Sequence, residues 1–407
     1  MAFNPFGERG LPLEQQIQNW TELNVKPYDK NEVHPYTRCR AIVMNGAEIE
    51  SVYFGHQFAR HVQDPELKKN LAMVRRIEAQ QQKMVNWMIP ANESVLENTI
   101  GYEQVAVDLT AGLAQMEPDP YVKAAFDFAL LEDFDHLYRY ADLLEMTEGV
   151  KAERLVGDLT EIIPGRPTVA EHRHPFDEVR KPFDASSADI QTMLNCNIIV
   201  AAEQQTMNFY MNVGNRADTM LGRGLYQEIA MVEEQHVTHY ESLIDPTQSW
   251  FMRNVMHHYT EAYLYWCFMK DEVDRNIKIH WERHLDMEIG HLKAAAEIMK
   301  KHEGKDPEES LPNSFPDPFV FRSNVDYVRN ILAEQTDWSA DGTNFLPVTD
   351  LPENHRYFHH QERVNRGPVP SQEVIREHID KTGRDYRLEL GGEHPVERFR
   401  QKEEVTA

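Results

Sequence analysis

The chain has 407 residues, of which 41% are apolar and 27% are charged, a composition typical of globular proteins. Its 67 acidic residues outnumber the 42 basic residues, which gives a formal net charge of −25. A chain this acidic lacks the basic face that nucleic-acid phosphates and anionic membrane surfaces require, so we expect neither of them as a partner.

The predicted elements follow an all-α plan along the chain. Residues 1–40 are mixed and polar, and we expect irregular structure there. Residues 41–301 carry apolar residues at helical spacing, interrupted only by residues 147–186. Residues 302–407 are rich in proline, glycine and charge, with one short helix predicted near residues 325–334. We expect this last segment to be an extended arm on the protein or on a neighbouring subunit, with a solvated tail as the alternative.

Eight helices in four hairpins are predicted within the helical region. Asp-Pro pairs that begin at Asp64, Asp119 and Asp245 indicate helix starts, because an aspartate caps a free N–H and a proline loses no needed donor at the first helical position. Ser186 and Asp189 indicate a further start. The predicted helices are 41–62, 65–89, 93–116, 120–146, 187–213, 217–244, 246–271 and 274–301.

Four of these helices carry an acid in the middle of a face that is otherwise apolar. Two helices supply one glutamate each, and two supply an acid followed by a histidine three residues later. The six residues are Glu103, Asp133, His136, Glu203, Glu233 and His236. An unpaired buried carboxylate costs several kcal/mol, so these side chains must neutralise one another. A pair of divalent metal ions would do so, since an acid and a histidine three residues apart share one helix face.

The spacing between these residues repeats along the chain. The acid and the histidine of one hairpin follow Glu103 by 30 and 33 residues, and those of the other follow Glu203 by the same intervals. An acid-x-x-His pair alone carries little weight in a chain so rich in both residue types. The repeated intervals carry more, because each hairpin turns about midway and thereby places its acids at one level.

The first and last hairpins carry a similar but incomplete pattern. Its residues are Glu48, Glu78, Glu261, Glu288 and His291, with Gln81 where the first hairpin would need a histidine. Four hairpins allow two sites, one site or a choice of partners. A dimetal bundle needs a crossover along its length, about 40 Å for a helix of about 27 residues, and only residues 147–186 are long enough. We therefore pair 93–146 with 187–244, and expect the outer hairpins to hold remnants or a minor site.

This arrangement resembles the ferritin-like superfamily, and within it the ribonucleotide-reductase-like branch that includes multicomponent monooxygenase and aromatic acyl-CoA epoxidase oxygenase subunits. The resemblance covers about residues 93–244 and is carried by Glu103, Glu203 and the segments 132–136 and 233–236. It implies a ferritin-like four-helix bundle with a long crossover, here extended by flanking helical hairpins. It also implies two iron ions, or manganese, with these metal ligands: Glu103, Asp133, His136, Glu203, Glu233 and His236. Asp133 departs from the family, which has a glutamate there.

Three functions are compatible with these features. The first, implied by the resemblance, is a di-iron monooxygenase that uses O₂ to hydroxylate or epoxidise a small organic substrate. Its electrons would come from a separate reductase or ferredoxin, because the sequence shows no flavin or iron–sulfur motif. The second is a ferritin-like or rubrerythrin-like metal oxidase or peroxide-consuming protein. The third is a metal-free structural subunit, suggested by Asp133 and Gln81. We expect no catalytic residue beyond the metal ligands.

Compartment and assembly are predicted from weaker signals. The three cysteines form no CxxC pair, and the N-terminus has no apolar signal segment, so we expect a soluble cytoplasmic protein. The long C-terminal arm needs a surface to lie on, so we expect a homo-oligomer, most simply a dimer. The histidine-rich segment 171–177 is interpreted as a surface loop.

Overall fold

The structure is a computed structural model that describes residues 3–401. It is mostly helical, and the one sheet found in these residues has two antiparallel strands, β1 (Trp338–Asp341) and β2 (Asn344–Pro347). The predicted all-α class is therefore confirmed. Between residues 3 and 401, no helix is both long enough and apolar enough to cross a membrane.

Eight long helices form four hairpins, and shorter helices lie before, between and after them. In chain order the helices of the described residues are α1 (Trp20–Leu23), α2 (Pro35–His61), α3 (Pro65–Asn86), α4 (Val95–Met116), α5 (Pro120–Glu148), α6 (Glu153–Val156), α7 (Thr168–Glu171), α8 (Ile190–Val213), α9 (Met220–Glu241), α10 (Trp250–Asp271), α11 (Arg275–Glu303), α12 (Val325–Gln335), α13 (Arg356–Val364) and α14 (Pro370–Thr382).

Most predicted helix ends lie within a few residues of the observed ends. Asp64 and Asp119 cap α3 and α5 as predicted, since their carboxylates accept hydrogen bonds from the backbone N–H groups of Glu66 and Tyr121. The predicted start of α10 is wrong. That helix begins at Trp250 under a Ser249 cap, whereas Asp245 and its proline belong to the preceding turn.

The first long helix begins six residues before its predicted start, at Pro35 rather than at residue 41. Its first turns carry Arg38 and Arg40, which are polar but buried. Arg38 pairs with Glu93 at 3.0 Å, and Arg40 pairs with Glu272 at 3.4 Å. The helix prediction uses the spacing of apolar residues, and buried charged residues do not contribute to that spacing. The sequence pattern therefore places the helix start too late.

The long helices pack in two groups of four. In one group the α4–α5 hairpin packs on the α8–α9 hairpin, with α4 against α8 and α5 against α9. In the other group the α2–α3 hairpin packs on the α10–α11 hairpin, with α2 against α10 and α3 against α11. The two groups pack against each other through α2, which also contacts α4 and α8. The pairing of residues 93–146 with 187–244 is the one that the crossover length predicts.

The segment after α11 lies on the crossover and on α5 and α9 of its own chain. Arg329 pairs with Glu161 at 2.8 Å, and the Tyr357 hydroxyl donates a hydrogen bond to the Ala170 carbonyl at 2.9 Å. Helix α14 packs against both α5 and α9. The crossover, residues 149–189, is therefore enclosed between the α4–α5–α8–α9 group and the C-terminal segment.

Candidate metal centre

All six predicted ligand residues lie together in one buried cluster, here called the first cluster. Each side chain is at most 1% exposed. Four helices contribute to it: Glu103 from α4, Asp133 and His136 from α5, Glu203 from α8, and Glu233 and His236 from α9. The helical periodicity that buries the apolar neighbours of these residues also directs the polar side chains inward.

The donor atoms of the first cluster form two overlapping groups of four. One group is Glu103, Asp133, His136 and Glu233, the other is Asp133, Glu203, Glu233 and His236, and within each group the donor atoms lie within 4.8 Å of one another. Asp133 and Glu233 belong to both groups. Such an arrangement can hold two cations that share two carboxylates. Although Asp133 is one methylene shorter than a glutamate, its carboxylate reaches both groups.

Many donor atoms of the first cluster have no hydrogen-bond partner within residues 3–401. They are both carboxylate oxygens of Asp133 and Glu203, one oxygen each of Glu103 and Glu233, and Nδ1 of His236. Asp133 Oδ1 lies 3.1 Å from His236 Nδ1, yet the two atoms are not aligned as a hydrogen bond. An unsatisfied buried polar atom costs about 1–3 kcal/mol. These atoms therefore fit cations, which would satisfy them all.

Each histidine of the first cluster directs Nδ1 toward the other ligands and Nε2 toward an outer carboxylate. His136 Nε2 lies 2.9 Å from Glu171, and His236 Nε2 lies 3.0 Å from Glu132. A carboxylate on the far ring nitrogen fixes the tautomer and orientation of a ligand histidine and makes it more basic. Glu132 precedes Asp133 on α5, whereas Glu171 comes from α7 in the crossover.

The interpretation of segment 171–177 as a surface loop is wrong for residues 171–173 and for Asp177, which are buried. Glu171 is 0% exposed, and Arg173 is 2% exposed. Arg173 donates a hydrogen bond to Glu132 at 2.9 Å, and Arg166, from the same crossover, pairs with Glu132 at 2.7 Å. The sequence gives only one indication that these residues support the first cluster: an acid and an arginine lie in a crossover that has to run along the length of the bundle.

Arginines of the crossover hold Glu132 in its charged form. Burial alone would raise the pKa of Glu132, but the Arg173 guanidinium, the His236 imidazole and Arg166 hold that pKa well below its ordinary range. An ionised Glu132 can accept a hydrogen bond from His236 Nε2 and leave Nδ1 free for a ligand role. The crossover thereby supports the first cluster from outside.

The ligands themselves favour additional positive charge. Burial raises the pKa of three acids above the ordinary range: Glu103, Asp133 and Glu203. Burial would also raise the pKa of Glu233, but the neighbouring imidazoles of His136 and His236 hold that pKa at about 2. Burial would lower the pKa of both histidines, yet the surrounding carboxylates raise it well above the ordinary value. Protons and metal cations therefore compete for the same buried carboxylates.

A tyrosine chain connects the first cluster to a surface cavity. The Tyr210 hydroxyl donates a hydrogen bond to Glu103 Oε1 at 2.5 Å. The Tyr210 ring packs edge-on against Tyr226, with centroids 5.6 Å apart. Tyr226 lines a cavity of about 400 Å³ together with Leu96 and Leu143. The two tyrosines therefore separate the cavity from the ligand Glu103.

Comparison of the chain with protein-family models, with curated proteins and with solved structures finds no match. What the chain does must therefore be inferred from the geometry and chemistry of its buried side chains.

Proposed function

We propose that the chain is a dinuclear-metal oxygenase with a ferritin-like four-helix bundle formed by α4, α5, α8 and α9, extended by the two outer hairpins. The observation that supports this most is the first cluster itself. Four carboxylates and two imidazoles, buried on two helix pairs that a long crossover joins, form the donor set of carboxylate-bridged di-iron and di-manganese proteins. The formal charge of −4 on the four carboxylates balances the +4 of two divalent cations.

Two iron or manganese ions in the first cluster would supply the electrons that reduce O₂. Glu103 and His136 would bind one ion, and Glu203 and His236 would bind the other. The shared ligands would be Asp133 and Glu233, which belong to both donor groups. The unpartnered oxygens of these acids are the atoms available for this role.

The surrounding residues hold these ligands in place. Glu171 and Glu132 accept hydrogen bonds from the Nε2 atoms of His136 and His236, so Nδ1 is the nitrogen that each imidazole would offer to a metal in exchange for its proton. The Tyr210 hydroxyl occupies Oε1 of Glu103 and leaves Oε2 for the cluster. Because the ligands are buried, bulk water is excluded from the reacting groups.

The cavity beside Tyr226 favours an organic substrate over metal storage. Its volume of about 400 Å³ lies within the range of small-molecule pockets, and Leu96 and Leu143 make part of its wall apolar. A small apolar molecule would reach the first cluster by displacing the rings of Tyr226 and Tyr210. A separate reductase or ferredoxin would replace the two electrons that each turnover consumes.

A metal oxidase or peroxide-consuming protein of the ferritin or rubrerythrin kind is the second candidate. It is favoured by the closure of the first cluster, whose six ligands are at most 1% exposed. Such a protein needs access only for ions, O₂ or peroxide. A metal-free structural subunit is disfavoured, because the many unpartnered oxygens would then remain unsatisfied.

Anaerobic reconstitution with Fe²⁺ tests the proposal. The full chain is loaded, mixed with O₂ or H₂O₂ in the presence of styrene, and analysed for bound iron and for styrene oxide. Glu233→Gln removes a shared ligand, and Glu234→Gln changes the adjacent exposed residue as a matched control. We expect iron-dependent styrene oxide from the wild type and from the control, and none from Glu233→Gln.

The remaining outcomes separate the candidates. Iron-dependent consumption of O₂ or peroxide without an oxygenated product would overturn the oxygenase and support the metal oxidase. Wild-type protein that binds no iron in the first cluster would contradict both enzymes.

A further inference from the structure

The outer hairpins bring a second set of buried donors together, here called the second cluster. It consists of Glu48 on α2, Glu78 on α3, His258 and Glu261 on α10, and Glu288 and His291 on α11. Each of these residues is at most 3% exposed. Like the first cluster, the second cluster contains four carboxylates and two imidazoles.

The second cluster repeats the layout of the first with one exchange. The corresponding pairs are Glu48 with Glu103, Glu78 with Asp133, Glu261 with Glu203, Glu288 with Glu233, and His291 with His236. The place of the remaining first-cluster histidine is taken by Gln81, whose amide donates hydrogen bonds to Glu288 at 2.8 Å and to Glu48 at 3.3 Å. An amide NH₂ group is a donor without a free lone pair for a metal, so this end of the second cluster lacks a nitrogen ligand.

His258 supplies a nitrogen ligand at the opposite end. It lies three residues before Glu261, where the first cluster has Val200 three residues before Glu203. Its Nδ1 is 3.2 Å from Glu261 Oε2 and 3.3 Å from Glu288 Oε2. The imidazole that is missing at Gln81 on α3 is therefore supplied by His258 on α10.

Four donors converge around one position in the second cluster. His291 Nδ1 lies 2.7 Å from Glu78 Oε1 and 3.0 Å from Glu288 Oε1. The donor atoms of Glu78, His258, Glu288 and His291 all lie within 4.8 Å of one another. His291 Nδ1 and both Glu78 oxygens have no hydrogen-bond partner in the described part of the chain, despite their proximity. These atoms point into a shared space instead of at each other.

The other end of the second cluster offers only oxygen. Glu48, Glu78 and Glu261 form this group. Glu48 Oε1 already accepts hydrogen bonds from the Tyr265 hydroxyl and from Gln81. Oxygen-only groups suit hard cations such as Mg²⁺ or Ca²⁺, whereas imidazole suits zinc and iron. Both nitrogen donors of the second cluster therefore serve the same metal position.

We propose that the second cluster is a mononuclear structural metal site, in which Glu78, His258, Glu288 and His291 bind one divalent transition-metal ion such as Zn²⁺. Two carboxylates and two imidazoles fill a tetrahedral coordination sphere, which is typical of a closed, structural site. The two carboxylates balance the charge of one divalent cation. The ion joins α3, α10 and α11, and its binding does not depend on what the first cluster does.

Anomalous diffraction tests the proposal on the unmodified full chain. Crystals are grown with Zn²⁺, and data are collected on both sides of the zinc absorption edge. We expect one anomalous peak in the second cluster, about 2.0–2.2 Å from the donor atoms of the four ligands. A map with peaks in the first cluster alone, or with two peaks in the second cluster, would overturn the mononuclear site.

Metal analysis of variants tests it in solution. His258→Val installs the residue that the first cluster has at this position, and His257→Val is the matched control, because the His257 ring packs on Phe54 outside the cluster. We expect His258→Val to lose about one bound Zn²⁺ per chain and His257→Val to lose none. An unchanged zinc content in a folded His258→Val protein would contradict the proposal.

Two further variants make the test independent of the first cluster. Gln81→His adds the missing nitrogen, and we expect it to gain about one Zn²⁺ per chain; no gain would contradict the role given to Gln81. Glu233→Gln weakens only the first cluster, so the zinc peak at His258 and His291 is expected to persist in that variant. Loss of this peak in the folded variant would show that the two sites are not independent.

Discussion

The two clusters share a ligand set and a helix arrangement, but they differ in what lies behind their histidines. In the first cluster, Glu171 and Glu132 accept hydrogen bonds from the far nitrogens of both histidines. In the second cluster, His291 Nε2 has no partner within residues 3–401. The residue before Glu78, which corresponds to Glu132, is the buried apolar Ile77.

This difference follows from the path of the chain. The first cluster lies between hairpins that the crossover joins, and the crossover carries Glu171 together with Arg166 and Arg173 along the outside of α5. The outer hairpins are separated in sequence by the whole first group of helices, so no crossover joins them. The N-terminal segment lies on α11, where the Gln16 amide donates a hydrogen bond to the Met287 carbonyl, but within residues 3–401 no side chain is hydrogen-bonded to His291 Nε2. Ligands repeat with helix spacing, whereas Glu171 and the arginines that hold Glu132 depend on a connection that only the first group of helices has.

The comparison suggests different uses for the two clusters. Outer carboxylates orient ligand histidines and tune the metal they bind, which benefits a reacting centre. A structural ion needs only a closed set of ligands. We therefore infer that redox chemistry belongs to the first cluster and helix cross-linking to the second.

Glu132→Ala is expected to have the largest effect, because it removes the shared partner of two buried arginines. Breaking a buried ion pair from one side costs about 3–5 kcal/mol. Arg166 would keep an uncompensated charge, whereas Arg173 would retain Glu178 at 3.0 Å. At the corresponding position of the second cluster, Ile77→Val is expected to cost about 0.5–1.5 kcal/mol. Urea unfolding of the metal-free proteins measures both losses. Equal losses would show that the first cluster gains no special support from the crossover.

Glu171→Ala is expected to weaken metal binding in the first cluster about 10- to 100-fold, because His136 loses the carboxylate that orients it. Anaerobic titration with Mn²⁺ against a competing chelator measures the affinity. Glu228→Ala is the matched control, since Glu228 contacts His172 at 3.0 Å in the same region without touching the first cluster. An equal loss of affinity in the control would contradict a specific role for Glu171.

Much of the fold and of both ligand sets could be predicted from the sequence. Helix periodicity identified all eight long helices, and the repeated intervals after Glu103 and Glu203 identified six side chains that the structure places together. These features depend on local geometry, because residues three or four apart share a helix face. The lengths of the connections decided which hairpins pair, since only the crossover can run along a whole bundle.

The parts that could not be predicted depend on tertiary position. Glu171 resembles any polar loop residue until the path of the crossover is known. His258 lies three residues before Glu261 instead of three residues after an acid, so a search for acid-x-x-His pairs does not find it. Gln81, at a position where a histidine ligand is expected, suggests on its own that metal binding has been lost. The early start of α2 depends on Arg38, whose partner Glu93 is distant in sequence.

Asp108 is a buried acid outside both clusters, so its contribution to the pH dependence of stability can be compared with that of the ligand acids. Burial raises its pKa to about 7, despite hydrogen bonds from Thr160 and Asn324. Its neutral form is favoured in the fold, so the stability that it contributes is present at low pH and lost as the pH rises through 7. The expected loss between pH 6 and pH 8 is about 1.4 kcal/mol.

Asp108→Asn stays neutral, so we expect this variant to lack the decline. Urea unfolding of metal-saturated protein at both pH values measures the difference between wild type and variant, because bound metal suppresses titration of the ligand acids. Parallel pH profiles for the two proteins would show that Asp108 is already ionised at pH 6.

The smallest expected difference in stability is between variants of two tyrosines, one in each cluster, that are hydrogen-bonded to Glu103 and to Glu48. The Tyr210 hydroxyl donates to Glu103, and the Tyr265 hydroxyl donates to Glu48 while lying 3.0 Å from His284 Nδ1. Removing either hydroxyl costs a hydrogen bond, but removing that of Tyr265 also leaves the buried His284 without its partner.

Tyr265→Phe is therefore expected to be less stable than Tyr210→Phe by about 1 kcal/mol in urea unfolding of the metal-free proteins. The two changes are matched, because each deletes one hydroxyl from a buried ring beside a glutamate. If Tyr210→Phe were the less stable variant, the Tyr210 hydroxyl would stabilise more of the protein than its hydrogen bond to Glu103. The packing of Tyr210 on Tyr226 would then be the contact to test. If the two losses were equal, His284 would not depend on Tyr265.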